Sequence, residues 1–209
     1  MNSLLNLMLL LQHTIQSSIS YFFFLSLFLL AMMFAFRFFR TYLVFLGIIP
    51  RKWFGVLGIF TSPFIHADFN HFFFNLFPLI VLSAFLMAFG FEFYLNLSAI
   101  LIVLSGSLIW CFARPGVHIG ASALITAYWG FLVTEALLGG GSSLNNFIGF
   151  ICLYYFIGIF FGIFPREQQV SWEGHLLGLI SGVGLYIAAY YIPMIHHWIF
   201  DRPYPITLS

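Results

Sequence analysis

The chain has 209 residues, of which 62% are hydrophobic, 22% aromatic and only 6% charged, and its formal net charge is +1. Soluble globular domains carry roughly a quarter charged residues, so this composition excludes a water-soluble fold. The near-neutral balance also leaves no basic surface for nucleic acid.

Nothing at the head of the chain reads as a secretory signal, which needs a basic stretch before one short apolar run. A mitochondrial presequence is not expected either, because residues 1–17 carry no Lys, Arg, Asp or Glu. Apolar runs of about 18 residues recur along the sequence, and each can cross about 30 Å of hydrocarbon. Backbone polar groups in lipid must be paired within their own segment, so these runs are predicted to be helices. The first is predicted at 18–36, after an amino-terminal segment 1–17. A connection of about 35 residues follows, from Arg37 to His71. Loops of that length are uncommon and usually functional, and Trp53 with its neighbouring phenylalanines favours the membrane interface. The second helix is expected at 72–90 and the third at 96–113, joined by a turn FEFYLN (91–96). The fourth, at 121–138, ends at the glycine-serine break GGGSSLN (139–145). A fifth at 146–164 and a sixth at 174–195 complete one membrane-embedded domain, 18–195, with a tail at 196–209. Cys111 and Cys152 fall inside apolar segments and read as buried free thiols.

Ionisable and polar side chains inside a membrane span are costly, so each is a candidate for function. Three clusters stand out. The stretch HADFNHFFFN (66–75) opens the second helix, and its His71 and Asn75, four apart, share one helical face. As an isolated pair they read equally well as packing glue between helices. In HIGASALITAY (118–128), Gly120, Ala121, Ser122 and Ala123 open the fourth helix. A serine in a first helical turn has a backbone N–H without an intrahelical acceptor, at the positive end of the dipole. Those attributes suit a developing oxyanion. In SWEGHLLGLISGVG (171–184), Gly174, Gly178 and Gly182 form a GxxxGxxxG stripe on the face of His175, and such stripes let a neighbouring helix approach closely. Serine is a poor nucleophile until a base takes its proton, and histidine is the usual base. His71 and Asn75 can donate to an oxyanion without burying a charge.

These motifs resemble those of the rhomboid family of intramembrane serine proteases, in the same order along nearly the whole chain. HxxxxHxxxN stands at His66, His71 and Asn75, GxS at Gly120 and Ser122, and the sixth-helix pattern at Gly174, His175, Gly178 and Gly182. The resemblance implies a six-transmembrane-helix bundle that cleaves transmembrane segments of single-pass or multi-pass membrane proteins. Ser122 would be the nucleophile, His175 the base, His71 and Asn75 the oxyanion hole with the Ser122 N–H, and His66 structural. No cofactor, metal or nucleic acid is implied; the setting is the lipid bilayer, as a multi-pass protein of the cell membrane in a prokaryote. Two positions depart from the family pattern. Ala123 follows the serine where glycine is usual, and no Trp-Arg pair stands near Gly58. Arg37, Arg40, Arg51, Lys52, Arg114 and Arg166 lie toward the end where the site opens, against Arg202 at the other. Alone, the positive-inside rule would make that end cytoplasmic; the family arrangement, which we follow, puts both termini in the cytoplasm and opens the site outward.

The main alternative is a catalytically inactive rhomboid-like protein that binds transmembrane helices without cutting them. A metal or haem site at His66, His71, His118 and His175 is a second, since imidazole suits both. It leaves the GxS motif and the glycine stripe unexplained. A transporter is a third, for which no inverted repeat is evident. Glu135 and the pair His196 and His197 read as interfacial groups and Glu92 as a turn residue. Glu173, two residues before His175, is a candidate to orient it, but adjacent helix positions face apart, so a loop or water contact suits it better. Gly149, on the fifth helix and outside the motifs, is expected to tolerate a side chain.

Overall fold

The computed structural model describes residues 2–139, 143–161 and 172–200. Among them the chain is helical with no strand. The helix α1 (Asn2–Leu43) is followed by a loop holding the short helix α2 (Gly58–Thr61), then α3 (Phe69–Met87), α4 (Phe91–Phe112), α5 (Ser122–Leu138), α6 (Ser143–Phe161), α7 (Trp172–Tyr191) and α8 (Pro193–Phe200). Four of these contain stretches long and apolar enough to cross a membrane: Gln12–Leu46, Phe69–Met87, Phe91–Phe112 and Trp172–Tyr191. The protein is an integral, multi-pass membrane protein.

The six expected helices are α1 and α3 to α7, with shifted ends. The first helix is expected at 18–36, but α1 runs from Asn2 to Leu43 and takes in the segment 1–17 from residue 2, with one non-helical residue at Phe39. The expected turn FEFYLN lies instead in the first turns of α4. The chain reverses earlier, at Gly90, whose φ of +118° is a left-handed conformation that glycine adopts without steric cost. The sixth span ends at Tyr191, before Pro193 opens α8. Residues 162–164 of the expected fifth helix, Arg166 and the tail from 201 lie outside the described residues.

Helix α5 is the hub. Its residues from Leu124 to Leu132 are all buried, as suits a helix apolar on every side. Helices α7, α6, α3 and α4 pack against it, α7 over the longest contact. Trp129 of α5 donates its indole N–H to the Cys152 carbonyl of α6 at 2.9 Å. Tyr128 donates to Ser98 Oγ of α4 at 2.6 Å, and the Tyr94 and Tyr21 hydroxyls pair at 2.9 Å to bring in α1. Buried hydroxyls of this kind must find partners, and these join three helices in one network.

The first loop is docked rather than free. Ile48 and His118 exchange backbone hydrogen bonds of 2.9 Å each way in an isolated antiparallel bridge. Arg51 donates from Nη1 to the carbonyls of Cys111 at 3.0 Å and Ala113 at 2.8 Å, and Trp110 Nε1 donates to Lys52 O at 3.0 Å. The Trp-Arg pair missing near Gly58 is explained by packing. A Cβ on Gly58 would fall on the Gly47 backbone, so no side chain fits there. Arg51 anchors the loop instead. Trp53 remains 83% exposed at its outer edge.

Candidate active site

Each of the three motifs opens a helix at the same end of the bundle. The first is fixed by a cap. Asp68, in extended conformation before α3, accepts a 2.9 Å hydrogen bond from the His71 N–H through Oδ1. A side-chain cap of this kind satisfies one of the orphan donors of a first helical turn. It sets the start of α3, so His71 is half-buried in the first turn and Asn75 is buried one turn further in. Asn75 Nδ2 donates to His71 O at 2.7 Å. That bond uses one of two amide protons.

His66 lies behind this pair. It is 1% exposed, and its ring meets that of His71 edge-on with centroids 5.2 Å apart. Among the described residues neither ring nitrogen of His66 finds a hydrogen-bond partner. Burial, reinforced by the neighbouring His71 and opposed by Asp68, pushes its pKa down to about 3, so the ring is neutral at pH 7.

The second motif turns sharply into α5. Gly120 has φ +106°, and its N–H donates to Ser62 O at 2.9 Å. A Cβ there would meet His71 Nε2 at 2.5 Å, so the His71 imidazole lies directly over the glycine. Only a residue without a side chain allows both the left-handed turn and that approach. Ser122 follows as the first residue of α5, half-buried, with its N–H beyond the reach of intrahelical acceptors.

The third motif presses α7 onto α5. A Cβ on Gly178 would collide with Ala123 O and Thr126 Oγ1, and one on Gly182 with Ala127 O. The two backbones are therefore in direct contact one turn below His175, which is half-buried in the first turn of α7. His175 is also within electrostatic reach of His71. Gly174 and Ser122, with Gly120, His118, Ser62 and Ser105, line one small cavity with room for about one water molecule. The residues of the three motifs thus lie at this end except Gly182, which sits deeper in the α5–α7 contact.

Three groups at the site were not singled out from the sequence. Asp68 was legible as a capping residue ahead of a helix. The Ser62 carbonyl was not, because a backbone acceptor leaves no residue signature. Arg114 pairs with Glu173, two residues before His175. Among the described residues no three His, Cys, Asp or Glu side chains group as metal ligands, so His66, His71, His118 and His175 do not form such a set.

The sequence profile of the Rhomboid domain matches residues 50–192. Uncharacterized proteins of Mycobacterium tuberculosis and Mycobacterium bovis are each 34% identical over 153 residues, covering 69% of this chain and 62% of theirs. A third, from Mycobacterium leprae, is 33% identical over 142 residues, 64% of this chain and 55% of its own. The chain therefore spans less than two thirds of the length of these relatives. A profile match that runs from the first loop through α7, over helices that carry its motifs in order, makes this chain a member of the rhomboid family.

Proposed function

We propose that the protein is an intramembrane serine endopeptidase that cleaves transmembrane segments of other membrane proteins, in the cell membrane if its source is prokaryotic. The observation that carries this reading is the seating of Gly178 against Ala123, which draws the first turn of α7 toward the first turn of α5. His175 and Ser122 stand on those two turns.

In this mechanism His175 takes the Ser122 hydroxyl proton as Oγ attacks the carbonyl carbon of the scissile peptide. The carbonyl oxygen becomes an oxyanion, stabilised by the Ser122 N–H, His71 and the second amide proton of Asn75. The imidazolium of His175 returns its proton to the leaving nitrogen as the C–N bond breaks, leaving an acyl ester on Ser122. Water, deprotonated by His175, then attacks that ester. Collapse of the second tetrahedral intermediate restores the serine and releases the new carboxyl end.

None of these donors needs a formal charge to donate, which avoids an uncompensated charge in a low-dielectric site. The depth of the site follows from helix length. At 1.5 Å per residue α5 is about 26 Å long, shorter than the ~30 Å of hydrocarbon. A helix of that length with its far end at one interface would leave Ser122 below the other, where peptide bonds of a transmembrane substrate could meet it. A transmembrane reporter incubated with wild type and with Ser122→Ala tests the reading. Cleavage by wild type alone supports it, and binding without cleavage by both supports the inactive helix-binding alternative.

A further inference from the structure

The two halves of the proposed dyad sit on separate elements. Ser122 follows the loop 113–121, whereas His175 belongs to the first turn of α7. One ion pair ties these elements together outside the site. Arg114 of the loop reaches both carboxylate oxygens of Glu173, through Nε to Oε1 and through Nη2 to Oε2 at 3.2 Å. The same guanidinium lies 5.8 Å from the centroid of the Trp172 ring. Its contacts thus fall on the two residues immediately before Gly174 and His175.

The pair is not an ordinary surface salt bridge. The Arg114 side chain is 65% exposed, but that of Glu173 is only 9% exposed. A buried carboxylate is held in place by the cation that compensates it. A guanidinium meeting both oxygens fixes orientation as well as distance. The loop end that carries Arg114 is itself immobilised. Arg51 holds the Ala113 and Cys111 carbonyls, the His118 ring nitrogen Nε2 lies 3.0 Å from Arg114 O, and His118 is bridged to Ile48. Glu173 is therefore held against a fixed frame at the start of the helix that presents His175.

We propose that Arg114 and Glu173 form a clasp that positions His175 against Ser122. The two are positioning residues, and the proposal rests on the dyad assigned above. Glycine contacts at Gly178 and Gly182 hold α7 from below, and the clasp fixes its first turn from above.

The test uses the full chain in detergent with a cleavable transmembrane reporter and measures kcat, KM and the rate of fluorophosphonate labelling. Arg114→Gln and Glu173→Gln are expected to lower kcat and labelling rate about tenfold to a hundredfold, the scale of a sub-ångström to 1 Å misplacement, with KM within about twofold of wild type. Arg114→Lys, which keeps the charge and loses the fork, should fall between wild type and Arg114→Gln. The reversed pair Arg114→Glu with Glu173→Arg should exceed either single charge change. Single variants equal to wild type, a rise in KM with kcat unchanged, or a reversed pair no better than the singles would overturn the clasp. If the reversed pair does not fold, equal kcat for Arg114→Lys and Arg114→Gln overturns it. A wild type that neither labels nor cuts removes the dyad and the clasp together. A reactive wild type with unaffected variants removes the clasp alone.

Discussion

Gly178 of α7 lies against the carbonyl of Ala123 in α5 so closely that a single added carbon would occupy the oxygen's space. Ala123 is bonded to Ser122, and Gly178 is one turn below His175. Any side chain at 178 must separate the two helices just beneath the proposed reacting groups. Gly178→Val is therefore expected to destabilise the protein by about 1–3 kcal/mol, the usual range for overpacking, and to lose roughly a hundredfold in rate from misalignment. Gly149, expected from the sequence to tolerate a side chain, is unsuitable as the control. A Cβ there would collide with the Ala136 Cβ of α5, because α6 also packs tightly on the hub. Gly184 of α7 is the better choice, since a Cβ there meets nothing within 4 Å among the described residues. Equal loss of activity in Gly178→Val and Gly184→Val would show that the α5–α7 contact does not control the chemistry.

Ser122→Ala should abolish reporter cleavage while leaving the melting temperature in detergent close to that of wild type, because only one half-buried hydroxyl oxygen is removed. Labelling by a fluorophosphonate should disappear in parallel. Cleavage at the wild-type rate by this variant would rule out Ser122 as the nucleophile.

Asn75→Ala should retain measurable activity. Removal of one oxyanion donor costs on the order of 10²–10³ in turnover, and the Ser122 N–H and His71 remain. Turnover by Asn75→Ala equal to that of wild type would reduce Asn75 to its hydrogen bond with His71 O.

The pH dependence of stability should carry a signature of His66. Its folded-state pKa of about 3 lies below the ordinary value of about 6.5. Between those values the unfolded chain binds a proton that the folded chain does not, so stability rises with pH across that window. The contribution is fully present above about pH 6.5 and is lost below it, by up to about 1.4 kcal/mol per pH unit. His66→Phe removes this titration and keeps an aromatic ring against His71 and Phe72. Stability measured at intervals from pH 8 to pH 4 should fall more steeply in wild type than in the variant below pH 6.5. Parallel curves would show that His66 is protonated in the folded state.

Legible along the chain were the membrane class, the order of the six long helices (though α1, Asn2–Leu43, is far longer than the expected 18–36) and the residue types that converge at one end of the bundle. Those features are local. Apolar runs of spanning length force helices because lipid offers backbone groups no other partners, and a glycine stripe at helical spacing marks a face meant for close approach. How distant segments lock together could be read only from the fold. The Ile48–His118 bridge, the Ser62 carbonyl beneath Gly120 and the Arg51 contacts to Cys111 and Ala113 all end on backbone atoms. Every residue but proline carries the same backbone N–H and C=O groups, so such pairing leaves no pattern to read along the chain. Glu173 shows the same limit for a side chain. Two residues before His175 on one helix, it reads as facing away from the chemistry. Only the fold brings Arg114 across to fix it, because an ion pair between separate elements depends on where a loop is pinned, and the sequence near either charge does not record that.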